Sequence, residues 1–96
     1  MAFKHIDYSQ AEELLSNHHA ILVDIRDEES FNLSHHERAI NLSQWSLPQF
    51  LFETDRDMPV LVLCYHGNSS QTIAEFLSQQ GFQHVHSIDG GYEGWK

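Results

Sequence analysis

A single cysteine, Cys64, ends the apolar run Val60-Leu61-Val62-Leu63 and opens the segment Cys64-Tyr65-His66-Gly67-Asn68-Ser69-Ser70. One cysteine forms neither an intramolecular disulfide nor a Cys-x-x-Cys redox pair. A lone cysteine is most often a small buried hydrophobe, but the residues that follow this one argue for chemistry. The segment runs into an amphipathic stretch, Thr72 to Gln80, with Ile73, Ala74, Phe76 and Leu77 on one helical face. Gly67 can adopt a left-handed backbone without a Cβ clash. Successive backbone N–H groups of the loop can then turn inward as an anion-binding nest. The helix N-terminus adds free N–H donors and the positive end of its dipole. Such a setting lowers a thiol's pKa, so Cys64 is expected to be a thiolate nucleophile that needs no partner base.

Four nucleophilic chemistries use a cysteine in this way. Cysteine-type phosphatases and arsenate reductases place an Arg six residues after the Cys to grip the oxyanion. Ser70 holds that position here, and the loop contains no Lys or Arg. Phosphoryl transfer depends on such cationic clamps. Thiol–disulfide exchange needs a second Cys. Cys–His acyl transfer would use His66, which is two residues away on a tight loop and poorly placed to reach the sulfur. Sulfur transfer remains, because neutral N–H donors suit a persulfide anion. Ser69 and Ser70 are expected to help bind the anion in place of the missing Arg, through their hydroxyls.

Elements on either side must position that loop. Phe3-Lys4-His5-Ile6 alternates as a short strand does. Ser9-Gln10-Ala11-Glu12 fits a capping box with Ser9 at the N-cap, and Ala11, Leu14 and Leu15 face inward from the helix, which frays near Asn17-His18. Ala20 to Val23 and Val60 to Leu63 are continuous apolar runs of the kind found in strands buried on both faces. Glu28 to Leu33 reads as a short helix with Phe31 inward, and Arg38 to Leu42 as a short strand. Ser46-Leu47-Pro48 opens a helix with Pro in its first turn. Gly81 ends the helix after the Cys loop. Val85 to Ile88 is a last strand, Asp89-Gly90-Gly91 a turn, and Tyr92 to Trp95 a final helical turn. This alternation predicts an α/β fold with a mainly parallel sheet and helices on both faces. Ligands in such sheets sit beyond the carboxyl ends of the strands, where Cys64 lies.

The 96 residues are expected to form one domain, residues 1–96. With 41% hydrophobic and 20% charged residues, the composition is that of an ordinary globular chain. No apolar run approaches the ~20 residues of a membrane span, and no signal segment opens the chain. Cytoplasmic localisation is therefore expected. The net charge of −9 argues against nucleic acid, which needs a basic surface, and against an anionic membrane.

As a set, several segments resemble the single-domain rhodaneses, most closely the small GlpE-type thiosulfate sulfurtransferases. They are Leu22-Val23-Asp24-Ile25-Arg26-Asp27, Ser30-Phe31 with Ser34-His35, Ala39 to Leu42, Cys64 to Ser70, and Ser87 to Trp95. The Cys loop has the length of the sulfur-transferring members. The chain departs from the family at Ser34 and at Glu37-Arg38. It also stops at Lys96, where relatives usually continue, which is expected to expose apolar surface near Trp95. The resemblance implies a rhodanese-like fold and a ping-pong reaction. Thiosulfate gives its outer sulfur to Cys64, and cyanide or a dithiol, thioredoxin among the candidates, takes it away. It implies no cofactor and no metal. The alternative is a rhodanese-like persulfide carrier or regulatory module acting on a protein partner.

The resemblance also marks Asp24, Arg26 and His35. Asp24 and Arg26 are expected to support the active-site loop rather than form a solvated ion pair, and His35 to hydrogen-bond within its own loop. By match of position Tyr65 to Ser69 supply the cradle N–H groups, and Tyr65, His66, Gly67, Asn68, Ser69 and Ser70 are the expected substrate-binding residues, with the side chain of His66 either at the pocket mouth or in solvent. His35-His36 is a poor metal pair, and His18, His19, His84 and His86 are expected on the surface. Phe50, Phe52 and Trp95 are expected in the core, and Trp45 near the site's mouth.

Overall fold

A computed structural model describes residues 3–17 and 19–95. The elements in chain order are β1 (Phe3–Ile6), α1 (Tyr8–Ser16), β2 (Ile21–Asp24), α2 (Glu28–Leu33), β3 (Ala39–Asn41), α3 (Leu47–Glu53), β4 (Val60–Leu63), α4 (Ser69–Gln79), β5 (Val85–Ile88) and α5 (Gly91–Trp95). The five strands form one sheet in the order β1-β5-β4-β2-β3. Every pairing is parallel, so the loops after all five strands emerge at the same edge of the sheet.

Side chains alternate along each strand, and the two faces build two apolar layers. One joins Leu22, Leu61, Leu63 and Ile88 to Ala11 and Leu15 of α1, with Tyr92 of α5. The other joins Val23, Val60, Val62 and Val85 to Phe50 of α3 and Ala74 and Leu77 of α4. Strand β4 lies at the centre and is wholly buried. Its carboxyl end is therefore the most rigid place in the fold from which to hang a loop.

Several expectations change. The N-cap of α1 is Asp7, not Ser9: Asp7 Oδ1 accepts the Gln10 N–H at 2.8 Å, and Gln10 Oε1 accepts the Asp7 N–H at 2.9 Å. Asp7-x-x-Gln10 and Ser9-x-x-Glu12 fit the same pattern. The end of β1 at Ile6, paired with Ile88, selects the first. Helix α4 starts at Ser69, three residues before its apolar periodicity begins, because its first turn is polar. Phe52 points into solvent, while Phe50 packs in the core. His86 is half-buried rather than on the surface, and its Nδ1 has no hydrogen-bond partner. Burial, followed by the nearby charges of Lys4 and His84, lowers its pKa. His19 and His84 are exposed, and His18 lies outside the described residues. Trp95 is half-buried, its ring stacked on Tyr8 at 5.2 Å and tilted against His36 at 4.7 Å.

Candidate active site

Cys64 follows directly on β4 and is 3% exposed. The chain reverses at Gly67, whose φ is +91°, and enters α4. This turn brings the Gly67 N–H to 3.1 Å and the Ser70 N–H to 3.2 Å from Sγ. Asn68, the N-cap of α4, makes no side-chain capping bond. The sulfur takes that place, accepting an N–H of the first helical turn that a cap would otherwise satisfy. Burial is the largest single influence on the thiol and pushes its pKa up. The Ser70 hydroxyl and the N–H groups of Ser70, Gly67 and His66 together outweigh it, so the net shift is downward. A cradle of N–H groups from Tyr65 to Ser69 was expected. Within that range the Gly67 N–H bonds the sulfur, and the Ser70 N–H joins it from just outside, because the helix begins early enough for its own first turn to reach back.

Behind the loop stands the turn Gly90-Gly91 and the start of α5. The Tyr92 N–H donates to the Cys64 carbonyl at 2.7 Å, and the Glu93 N–H to the Tyr65 carbonyl at 3.1 Å. A Cβ on Gly67 would come within 2.8 Å of the Gly90 nitrogen, and one on Gly91 would overlap the Tyr65 carbonyl and the His66 nitrogen. Two stretches of backbone thus touch with no side chain between them. The Tyr8 hydroxyl locks the turn from outside by donating to the Gly91 carbonyl at 2.7 Å.

Asp24 and Arg26 flank the loop from β2. Asp24 is fully buried and Arg26 is 5% exposed. The guanidinium grips the carboxylate through Nε (3.0 and 3.1 Å) and Nη2 (2.8 Å). Nη2 also donates to the Ser34 carbonyl at 2.8 Å. The guanidinium carbon lies 4.0 Å from the centroid of the Tyr92 ring and 5.8 Å from that of Tyr65. The pair is therefore not a solvated one. It ties β2 to the loop residue Tyr65 and to α5, with Nε and Nη2 engaged inside the protein.

The Tyr65 hydroxyl reaches Asp27 and Ser30 at the start of α2. Its hydrogen bond, followed by those from Ser30, holds the Asp27 carboxyl at about 2. His35 closes the end of α2: its Nδ1 meets the Phe31 carbonyl at 2.7 Å and its ring stacks on Phe31 at 3.8 Å. His36 turns away to Glu12 at 3.3 Å, so the two neighbouring imidazoles face different partners.

The remaining loop side chains separate. His66, Asn68 and Ser69 are exposed. Ser69 borders an apolar groove of about 540 Å³ whose walls include Ile25, Leu42, Leu47, Ile73 and Phe76. Ser70 was expected to offer its hydroxyl to a bound anion, but it is fully buried behind the sulfur, its Oγ 2.8 Å from Ser87 Oγ. Trp45 stands 83% exposed in the turn after β3, beside groove residues Ser43 and Gln44. Residue-by-residue reading missed Ser87, Gly90 and Gly91 as parts of this site. The signal for Ser87 was present: alternation puts this small hydroxyl residue on the same inward face as Val85.

A parallel α/β sheet with one cysteine cradled by backbone at the carboxyl end of its central strand defines a class of protein, and comparison with known families agrees. Residues 7–96 match the rhodanese-like domain, and the chain belongs to that family. It is 48% identical over 93 residues to the thiosulfate sulfurtransferase GlpE of Vibrio cholerae, covering 97% of this chain and 88% of the relative. It is also 48% identical over 94 residues to GlpE of Tolumonas auensis, covering 98% and 89%. Among solved structures, a rhodanese-like domain protein from Staphylococcus aureus superposes with a TM-score of 0.84 at 20% identity, covering 98% of this chain and 92% of the other.

Proposed function

We propose that this chain is a thiosulfate sulfurtransferase working through a Cys64 persulfide. The observation that carries the reading is the sulfur itself, accepting the N–H groups of Gly67 and Ser70 in a loop without Lys or Arg. The family and the names of the 48%-identical relatives support it.

In the first half-reaction the thiolate attacks the outer sulfur of thiosulfate. A new S–S bond forms at Cys64, the old one breaks, and sulfite leaves with the electron pair. In the second, cyanide or a thiol attacks the outer sulfur of the persulfide. With cyanide a C–S bond forms, the S–S bond breaks, thiocyanate departs and the thiolate returns. Each step exchanges one bond for another, with no outside oxidant. Asp24, Arg26 and His35 hold the loop's surroundings, while Tyr65 to Ser70 shape the pocket. Residues 1–96 act as one domain. The acceptor is cyanide or a dithiol, with thioredoxin a candidate, and a reducing cytoplasm keeps the lone thiol ready. No helix among the described residues is long and apolar enough to cross a membrane.

Intact mass before and after thiosulfate tests the reading. One added sulfur on the wild-type chain and none on Cys64→Ser is expected, with loss of all thiocyanate formation in the variant. A Cys64→Ser protein that still turns over would sink the covalent mechanism. A persulfide that forms but passes only to a protein would favour the carrier reading.

A further inference from the structure

Ser87 is a hydroxyl in the wrong place for a core. It lies on β5, paired with Val62 on one side and His5 on the other. By alternation its side chain shares a face with Val85, and so meets the layer of Val62, Ala74 and Leu77. It is fully buried. A buried hydroxyl surrounded by apolar side chains must find a partner, and the partner here is Ser70 Oγ at 2.8 Å. Ser70, equally buried, is the residue whose N–H reaches Cys64 Sγ at 3.2 Å, and its hydroxyl also favours the thiolate.

The bond between the two hydroxyls, whichever oxygen donates, anchors the Ser70 side chain to β5, and with it the N–H that faces Sγ. Val62 and Leu63 lead directly into Cys64, so the strand paired with Ser87 is the one that carries the nucleophile.

We propose that Ser87 is a positioning residue for the Cys64 thiolate, anchoring Ser70 and with it the first-turn N–H of α4 that faces the sulfur. The inference rests on Cys64 being the nucleophile and adds a residue outside the loop to its machinery. It makes no contact with the substrate and acts only through Ser70.

The test reads the resting thiol, so it does not require the persulfide to form. Failure here is therefore distinct from failure of the sulfur-transfer reading, which intact mass decides. Iodoacetamide alkylation of Cys64 is followed against pH in wild type, Ser87→Ala, Ser70→Ala and the double variant. Ser→Ala is nearly isosteric, and circular dichroism with a melting curve checks each fold. The alkylation midpoint is expected to rise in Ser87→Ala by several tenths of a pH unit or more, and further in Ser70→Ala. In the double variant it should equal that of Ser70→Ala alone, because Ser87 has nothing left to act through. Ser87→Thr, which restores a hydroxyl, should recover part of the shift. An unchanged midpoint in folded Ser87→Ala overturns the proposal. So do shifts that simply add in the double variant. If Ser87→Ala does not fold, a Ser70→Ala midpoint equal to wild type overturns it by removing the intermediary, and a raised Ser70→Ala midpoint together with a near-wild-type midpoint in Ser87→Thr supports it.

Discussion

Gly91 lies against the peptide that joins Tyr65 to His66, so closely that a Cβ on it would overlap the Tyr65 carbonyl and the His66 nitrogen. The contact is backbone on backbone. It presses the start of α5 onto the Cys loop, where the Tyr92 and Glu93 N–H groups take the carbonyls of Cys64 and Tyr65. The loop's shape is thus set from behind as well as by its own glycine.

Gly91→Ala should damage both stability and chemistry. Its φ of +65° costs a non-glycine residue about 1–3 kcal/mol, and backbone cannot yield as a flexible side chain would. A fall in Tm of about 4–8 °C per kcal/mol is expected for a domain of this size, with at least a roughly tenfold loss of kcat/KM (~1.4 kcal/mol). Gly81→Ala is the control. Gly81 also has positive φ, +101°, but a Cβ there meets only the Arg56 side chain at 3.7 Å. That variant should lose stability and keep its activity. Equal kcat/KM losses in the two would show that the Gly91 contact has no special bearing on the loop.

The resting thiol should titrate below the free-cysteine value of about 8.5. The sign follows from the balance at Sγ, where burial pushes the pKa up and the Ser70 and Gly67 donors, with His66, push it further down. Between the folded and free values the protein holds a thiolate while an unfolded chain holds a thiol. Alkylation rate against pH gives the midpoint directly, and first-half-reaction rates should rise through the same midpoint and then level off. A midpoint at or above the free value would mean that the donors do not face the sulfur in solution.

Removing one partner of the Asp24–Arg26 pair should cost about 3–5 kcal/mol, the range for a buried charge left alone. The geometry supports the upper class of effect, since both groups are buried and three short contacts join them. Urea unfolding of Arg26→Met measures it. Arg26→Lys keeps the charge but not the planar fork, and should fall between wild type and Arg26→Met. A loss below about 1 kcal/mol, the range of surface pairs, would show that the pair is solvated.

Turnover of thiosulfate should rise with modest salt. The chain carries −9, the substrate is a dianion, and the charge of Arg26 is paired with the buried Asp24 carboxylate. Screening length falls from about 30 Å at 0.01 M to about 8 Å at 0.15 M ionic strength, which removes long-range repulsion and leaves the short-range N–H donors in place. Initial rates at low thiosulfate should therefore climb over that range, then fall at molar salt as anions compete for the site. An uncharged donor should lack the initial rise. A steady fall from the lowest salt would show that a locally positive field dominates at the pocket.

The order of strands and helices was legible in the sequence because apolar runs and their periods are local. Ala20 to Val23 and Val60 to Leu63 announce buried strands wherever they end up, and Gly67 announces a reversal. Element edges were less legible where two local signals compete. Asp7 and Ser9 both offer a cap, and only the pairing of Ile6 with Ile88 decides between them. Likewise the polar first turn of α4 carries no periodicity, yet its Ser70 N–H is one of the two that reach the sulfur.

What the sequence determined by itself is the nucleophile and its neighbourhood along the chain: one Cys at a strand's end, a small-residue loop without cations, and a helix to follow. What tertiary structure decided is which distant residues close the ring. Ser87, 17 positions beyond Ser70, and Gly91, which packs on Tyr65, arrive only because β5 pairs with β4 and the loops of a parallel sheet leave from one edge. Burial made the same choice for Asp24 and Arg26. An Asp-x-Arg reads alike in solvent or core, and only the layers around β2 turn it into a sealed pair against the loop. The physical reason is common to all three: hydrogen-bonding capacity is written in the residue type, but the partner that must satisfy it is fixed by which surfaces the fold removes from water.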